Sequence, residues 1–122
     1  QKGLTLYISP NTNDNEEWQA TIRHIAIEGR CYFINCDMYF TRNMYPSGLH
    51  CPEEIDNLNN IVCRGGSCVI DPYGHYAAEP VWDKEQIIYA SLDMNQVPAS
   101  RMEFDPCGHY ARPDILELIV HE

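Results

Sequence analysis

Six cysteines and five histidines are the side chains of this chain that could act as nucleophiles, bases or metal ligands. Cys107 and His109 could be a thiol beside its base, but residues two apart in sequence rarely reach the alignment that such a pair needs. Four residues could in principle coordinate a zinc ion: Cys51, Cys63, Cys68 and His109. No Cys-x-x-Cys pair anchors that set and its separations are irregular, which favours ordinary thiols. We expect no catalytic, metal or cofactor site among them.

The cysteines are expected to be reduced. Disulfide scaffolds belong to short secreted chains with cysteines in loops, whereas Cys31, Cys36 and Cys68 lie in apolar runs. A free cysteine behaves as a small hydrophobe and is commonly buried. The cysteine pattern therefore favours a cytoplasmic protein.

The charge balance restricts the classes of partner. The chain has 122 residues, with 8 Lys and Arg against 18 Asp and Glu and a formal net charge of -10. Such a surface repels nucleic-acid phosphates and anionic lipids, and no run approaches the ~18 apolar residues of a membrane span. We expect a soluble, folded chain that binds neither nucleic acid nor membrane.

The elements that must position any site alternate between strand and helix. Leu4–Ile8 is short, apolar and β-favouring, which predicts a buried strand. Asp14 and Glu17 have the form of a capping box, and apolar residues then recur at helical spacing. This pattern predicts a helix over about Asn15–Glu28, stopped by Gly29.

The next apolar run, Cys31–Cys36, predicts a strand that is covered on both faces. The other predicted elements are a long surface loop over Thr41–Asn60, a hairpin of Ser67–Asp71 and His75–Glu79 around a type I turn, a strand over Gln86–Leu92 and a short helix over Asn95–Phe104. The chain begins at Gln1 and is inside an apolar run by Leu4, which predicts a start within a domain.

Three segments of the chain resemble nitrilases, which belong to the carbon–nitrogen hydrolase superfamily. They are Glu17–Cys31, Gly65-Gly66-Ser67 running into Ile70–Gly74, and Gly108–Asp114. They occur in the family's order over almost the whole chain. The resemblance identifies residues 1–122 as the C-terminal part of one nitrilase domain. It implies an α/β fold, a partial α-β-β-α sandwich that is incomplete without its N-terminal half.

The resemblance also implies a chemistry. In this family a glutamate deprotonates a cysteine thiol, the thiolate attacks the nitrile carbon, and a lysine stabilises the negative charge that develops. Water then releases ammonia and a carboxylic acid. The family's nucleophile lies in a Cys-Trp-Glu segment that would precede Gln1, and the glutamate and lysine lie further upstream. None of the three catalytic residues is expected in this chain.

Other roles do carry over from the resemblance. The loop after the first strand lines part of the substrate pocket in the family, at positions matching Asn11, Thr12 and Trp18, although Trp18 at helical spacing is also typical of packing. The family usually has Pro-Thr where this chain has Pro10-Asn11, which affects substrate choice. The helix also implies a subunit contact surface made by Trp18, Ile22, His24 and Ile25.

Three functions remain open at this point. The first is part of a nitrilase, inactive alone, whose substrate in the complete enzyme is a small nitrile. The second is a non-catalytic assembly piece that pairs with a complementary nitrilase half or with its own copies through the helix and an open sheet edge. The third is an independent metal-binding module.

Overall fold

The computed structural model describes residues 3–106 and 108–119. The elements in these ranges are β1 (Leu6–Asn11), α1 (Glu16–Gly29), β2 (Tyr32–Asp37), β3 (Tyr39–Thr41), a 3-10 turn (Arg42–Met44), α2 (Pro52–Asp56), β4 (Ile61–Ile70), β5 (Tyr76–Trp82) and α3 (Gln96–Glu103). The result is a mixed α/β fold built on one five-stranded sheet.

Strand β4 organises the sheet. Strands β1 and β2 are parallel and joined by α1, so they form a β-α-β unit. Strands β2 and β3 run antiparallel to successive stretches of β4, and β5 pairs with β4 as the second arm of a hairpin. The predicted hairpin is confirmed, with the Gly74 backbone N–H donating to the Asp71 carbonyl oxygen at 3.0 Å.

Helix α1 begins one residue later than the predicted capping box requires. The side chain of Asn15 accepts a hydrogen bond from the Trp18 backbone N–H at 2.8 Å and caps the helix. Asp14 instead accepts from the backbone N–H of Arg64 at 2.8 Å, which ties the loop to β4. The helix ends at Gly29, one residue past the predicted Glu28, and Arg30 rather than Gly29 takes the left-handed conformation after it, with φ of 48°.

The core lies between α1 and one face of the sheet. Its buried residues are Ile22, Ala26, Phe33, Cys68 and Ile70, and Trp18, Ile25 and Tyr76 pack against them. Residues of β2 alternate between the two faces of the sheet, so Phe33 faces the helix and Tyr32 faces away. The hydroxyl of Tyr32 donates to the carbonyl oxygen of Asp93 at 3.0 Å, in the segment just before α3.

The face of the sheet away from α1 is only partly covered, which corrects two predictions. Strand β1 is not a buried strand: Leu6 is 37% exposed and Ile8 is 64% exposed. Strand β2 is covered on both faces at Tyr32 and Phe33 but not near its end, where Cys36 is exposed. A buried strand needs a layer on each side, and the described residues supply a full layer on one side only.

The predicted strand over Gln86–Leu92 is wrong. The segment forms no strand, and Ile87 and Tyr89 are 74% and 85% exposed. Its composition favours an extended backbone, but no neighbouring strand is paired with it. The helix predicted over Asn95–Phe104 is confirmed as α3, and the predicted loop holds only the end of β3, the 3-10 turn and α2.

Within the described ranges, no helix combines the length and the apolar character that a membrane crossing requires.

Candidate functional site

The carboxyl ends of β1 and β2 bring polar side chains together. Asn11 ends β1 and Asp37 ends β2, and the two residues are directly paired across the strands. Parallel neighbours end at the same edge of a sheet, which is where α/β folds commonly bind ligands. Asn35 lies two residues before Asp37 and projects from the same face of β2.

Asn35 is the centre of a hydrogen-bond network at this edge. It is 2% exposed. Its Oδ1 accepts from Asn11 Nδ2 at 2.7 Å and from Trp18 Nε1 at 3.1 Å. Its Nδ2 donates to Asp37 Oδ2 at 2.5 Å and to the carbonyl oxygen of Gly66 at 3.1 Å. All four hydrogen-bonding positions of the amide are therefore used.

These partners also fix the orientation of the Asn35 amide. An indole N–H can only donate, so the atom facing Trp18 must be the oxygen. A backbone carbonyl oxygen can only accept, so the atom facing Gly66 must be the nitrogen. Asn11 must then turn its Nδ2 toward Asn35, and its Oδ1 accepts from the Asn13 backbone N–H at 2.9 Å.

Asp37 is held in place but incompletely bonded. Its backbone N–H donates to Ser67 Oγ at 2.9 Å, and Ser67 Oγ donates back to the Asp37 carbonyl oxygen at 3.0 Å. The residue is 7% exposed, and its Oδ1 is buried with no partner at full hydrogen-bond geometry among the described residues. Burial raises the pKa of the Asp37 carboxyl, while hydrogen bonds from the Asn35 side chain and the Asn13 backbone N–H lower it.

The paired glycines of β4 shape the other side of the network. Gly65 and Gly66 have φ of 89° and 113°, at a shift in the register between β4 and β5. The Gly66 carbonyl oxygen accepts from Asn35 and from Gln19 Nε2, the latter at 2.9 Å. A Cβ at Gly66 would lie 2.7 Å from two ring atoms of Trp82, so only glycine fits there.

A cavity of about 300 Å³ opens beside Asp37. Its wall includes Tyr39, Gly65, Ser67 and Lys84, together with Asp37 itself. The cavity is large enough for a small organic molecule.

The structure brings together two of the three predicted substrate-binding residues. Asn11 and Trp18 are both half-buried and share Asn35 as a partner. Thr12 is exposed, and its carbonyl oxygen accepts from the Cys63 thiol at 3.8 Å. Their role in substrate binding stays a prediction. Asn35 and Asp37 were missed, although polar residues inside an apolar strand are a signal that could have found them.

The predicted contact surface on α1 needs one correction. Ile22 is 0% exposed and packs in the core of its own chain, so it offers no surface to a partner. Trp18 and Ile25 pack against the same core. The His24 side chain is 71% exposed and lies 3.4 Å from Glu28, one turn further along the helix. A subunit contact on this helix would rest on the exposed face that carries His24.

The cysteines form neither a disulfide nor a metal cluster in the part of the chain that the structure describes. Cys36 and Cys51 are exposed, and Cys31, Cys63 and Cys68 are buried. Cys107, considered above as the partner of His109, lies outside the described residues.

The fold is that of carbon–nitrogen hydrolases. A carbon–nitrogen hydrolase from Helicobacter pylori G27 matches 84% of this chain with a TM-score of 0.61 and 22% identity, over 36% of its own length. XC1258 from Xanthomonas campestris, a superfamily protein with an arsenic adduct in its active site, matches 84% of the chain with a TM-score of 0.58 and 20% identity, over 33% of its length.

The sequence comparisons define the family. The carbon-nitrogen hydrolase profile matches residues 4–102. An aliphatic nitrilase of Sinorhizobium fredii is 40% identical over 99% of this chain, and a bifunctional nitrilase/nitrile hydratase of Lupinus angustifolius is 36% identical over the same share. The chain belongs to the carbon–nitrogen hydrolase family.

The chain spans 39% and 36% of the length of these two relatives. A match of that length fits either end of a relative, so the C-terminal placement stays a prediction from the three motifs.

Proposed function

We propose that this chain is part of a nitrilase-type hydrolase and has no activity by itself. The observation that carries the proposal is the match to nitrilases over nearly the whole chain, combined with the absence of any Cys-Trp-Glu from the sequence. The residues following the six cysteines are Tyr32, Asp37, Pro52, Arg64, Val69 and Gly108. None is tryptophan.

The reaction of the complete enzyme is the conversion of a nitrile and two water molecules to a carboxylic acid and ammonia. A thiolate is needed to attack the nitrile carbon, a base to form that thiolate, and a fixed cation to stabilise the developing negative charge. The Glu, Lys and Cys come from outside this chain. The buried Cys68 is a poor substitute, because burial raises the pKa of its thiol to about 12 and keeps it protonated.

This chain contributes to the substrate pocket rather than to the chemistry. Asn11, Thr12 and Trp18 bind substrate, and the network around Asn35 holds the first and last of these in place. Because one similar protein is an aliphatic nitrilase, we propose a small aliphatic nitrile as the substrate. The described cysteines are all free, which supports a cytoplasmic location.

The chain alone, supplied with aliphatic and aromatic nitriles, should release no ammonia. Turnover that one cysteine substitution abolishes would overturn the proposal. The flanking coding sequence provides the second test: an in-frame Cys-Trp-Glu would supply the missing nucleophile, and the polypeptide extended to include it should hydrolyse nitriles.

A second candidate function is a non-catalytic assembly piece, and the exposed apolar residues of β1 favour it. Such a chain would bind a complementary nitrilase half or its own copies through β1 and the exposed face of α1. Light scattering tests this candidate, because a monomer that unfolds cooperatively would contradict it.

A further inference from the structure

We propose that residues 86–92, here called the 86–92 segment, form a β-strand in the complete hydrolase and pair with a strand from the part of the polypeptide that lies outside this chain. The proposal rests on the proposed function in one respect, since it takes this chain as one part of a longer hydrolase. Four features support it: an unpaired backbone, an uncharged sequence, a position beside the open face of the sheet, and the length of the relatives.

The backbone of the 86–92 segment is extended and unpaired. Residues 85–93 form no turn or bend, and none of them has a positive φ. Within the part of the chain that the structure describes, no backbone N–H or carbonyl oxygen of residues 84–92 makes a hydrogen bond. A straight, extended backbone presents donors and acceptors in series along its two edges. The partner that satisfies such a series is another strand.

The sequence of the 86–92 segment is that of a covered strand rather than an open edge. The segment contains no charged residue and no proline, although 21% of the chain is charged. Its apolar Ile87 and Tyr89 are 74% and 85% exposed. Strands that remain at an open edge commonly carry charges or proline, which discourage pairing with other chains. The segment has neither safeguard, so its edge and its apolar side chains are covered in the complete protein.

The 86–92 segment begins beside the face of the sheet that α1 leaves open. A cavity of about 260 Å³ is lined by Ile87 and Ile88 of the segment and by Ile34 and Val69 of the sheet. Ile34 and Val69 are paired across β2 and β4 and share that face. Ile8 is paired with Ile34 on β1, extends the same face and is 64% exposed. Two sheets that pack face to face place such side chains between them, which makes the segment one strand of a second layer.

The length of the relatives identifies the source of the neighbouring strand. This chain spans 39% and 36% of the two nitrilase relatives described above, so most of a hydrolase of that length lies outside it. A strand from the same polypeptide is present in every molecule and requires no encounter between molecules. An uncharged edge that faces such a strand is therefore protected from wrong pairing. A second copy of this chain is the alternative occupant, and its binding would depend on concentration.

Amide hydrogen exchange tests the pairing in the complete hydrolase, the polypeptide extended to include the Cys-Trp-Glu. The 86–92 segment should exchange, on average, on the order of 100-fold more slowly there than in the isolated chain. Residues 47–50 are the matched control, because they are exposed and also make no hydrogen bond among the described residues. Their exchange should be fast in both proteins. A segment that exchanges as fast as residues 47–50 in the complete hydrolase would overturn the proposal.

Proline substitutions separate strand pairing from simple burial. Neighbouring N–H groups of a strand point to opposite edges, so either Tyr89→Pro or Ala90→Pro removes an N–H that faces the partner. At least one of them should lower the Tm of the complete hydrolase by about 5 °C or more. The controls Tyr89→Phe and Ala90→Ser keep the N–H and should change the Tm little. A Tm that neither proline lowers would contradict the pairing.

The outcomes separate this inference from the proposed function. If the complete polypeptide protects the 86–92 segment but hydrolyses no nitrile, the proposed function fails and the strand pairing stands. If it hydrolyses nitriles while the segment exchanges freely, the pairing alone is overturned. Protection that appears in the isolated chain and rises with its concentration would assign the edge to a second copy and overturn the choice of partner. The exchange of the unchanged complete protein decides the question even if the proline variants do not fold.

Discussion

At the scale of single residues, Cys68 shows how strongly the core suppresses a reactive group. It is 1% exposed, and its Sγ donates to Gln19 Oε1 at 3.4 Å. Burial raises the pKa of its thiol to about 12, against an ordinary value of 9.0. The thiol is therefore neutral in the folded chain under ordinary conditions, and reagents that need a thiolate cannot use it.

Raising the pH should destabilise the fold through this thiol. Between pH 9 and pH 12 the unfolded chain ionises Cys68 while the folded chain does not, so the free energy of unfolding falls as the pH rises. Cys68→Ala should flatten this dependence, whereas Cys36→Ala, at an exposed site, should not. Urea titrations across this pH range measure both slopes. Equal slopes in the two variants would contradict the prediction.

Gly66→Ala should destabilise the fold by about 2–4 kcal/mol, because it combines a strained backbone with a clash against the Trp82 ring. Gly48→Ala is the matched control: its φ is 96°, but no atom lies within 4 Å of the new Cβ. The control should show only the backbone cost, about 1 kcal/mol. Denaturant titration compares them, and similar losses would remove the steric part of the argument.

Some residues of the candidate site could be predicted from the sequence and others could not. Asn11 and Trp18 could be selected from the family resemblance, and both reach the network. Asn35 and Asp37 could have been marked as polar residues at the end of an apolar run, but the run does not say which groups they bond. Three of the partners of Asn35, namely Asn11, Trp18 and Gly66, are distant in sequence and meet it only in the fold.

At the scale of elements, helix α1 was predictable almost to the residue, and the strand over Gln86–Leu92 was not. A helix satisfies its own backbone hydrogen bonds, so local periodicity and caps are sufficient to identify it. A strand needs a neighbour that sequence does not specify. The apolar run of 86–92 has the composition of a strand, but the sheet provides no edge paired with it.

Helix α1 could be capped by Asn15, as the structure shows, or by the capping box of Asp14 and Glu17 that the sequence suggested. Asn15→Ala should cost about 1 kcal/mol of stability, because Asn15 bonds the Trp18 backbone N–H. Asn15→Ser should retain most of that contribution. Glu17→Ala should have little effect, since Glu17 does not close the capping box that the sequence suggested. Thermal unfolding measures all three variants. A larger loss of stability for Glu17→Ala than for Asn15→Ala would support the capping box instead.

At the scale of the molecule, a sheet that is fully covered on one face and only partly on the other corresponds to part of a layered sandwich. The resemblance predicted this incompleteness, and the exposure of Leu6 and Ile8 agrees with it. What the sequence left undetermined was which surfaces would stay open. That depends on which residues α1 and α3 reach, and so on the assembled fold rather than on any local pattern.

Open apolar strands promote association, so the isolated chain should self-associate through β1. Ile8→Glu places a charge on this strand and should shift sedimentation toward monomer. Ile87→Glu is the matched control, because Ile87 is also strongly exposed but lies outside any strand. If both variants associate as the unchanged chain does, β1 is not the contact.

The pairing of β4 with three strands has a consequence for how readily each strand of the sheet opens. Strand β1 is paired with β2 alone among the described strands, whereas β4 contacts β2, β3 and β5. Opening β1 leaves the other pairings intact, but releasing β4 disrupts nearly all of them. Backbone amides of β1 should therefore exchange with deuterated solvent through local opening, and those of β4 only through global unfolding. Asn11 lies on the strand that opens first, so the pocket edge loosens long before the core does.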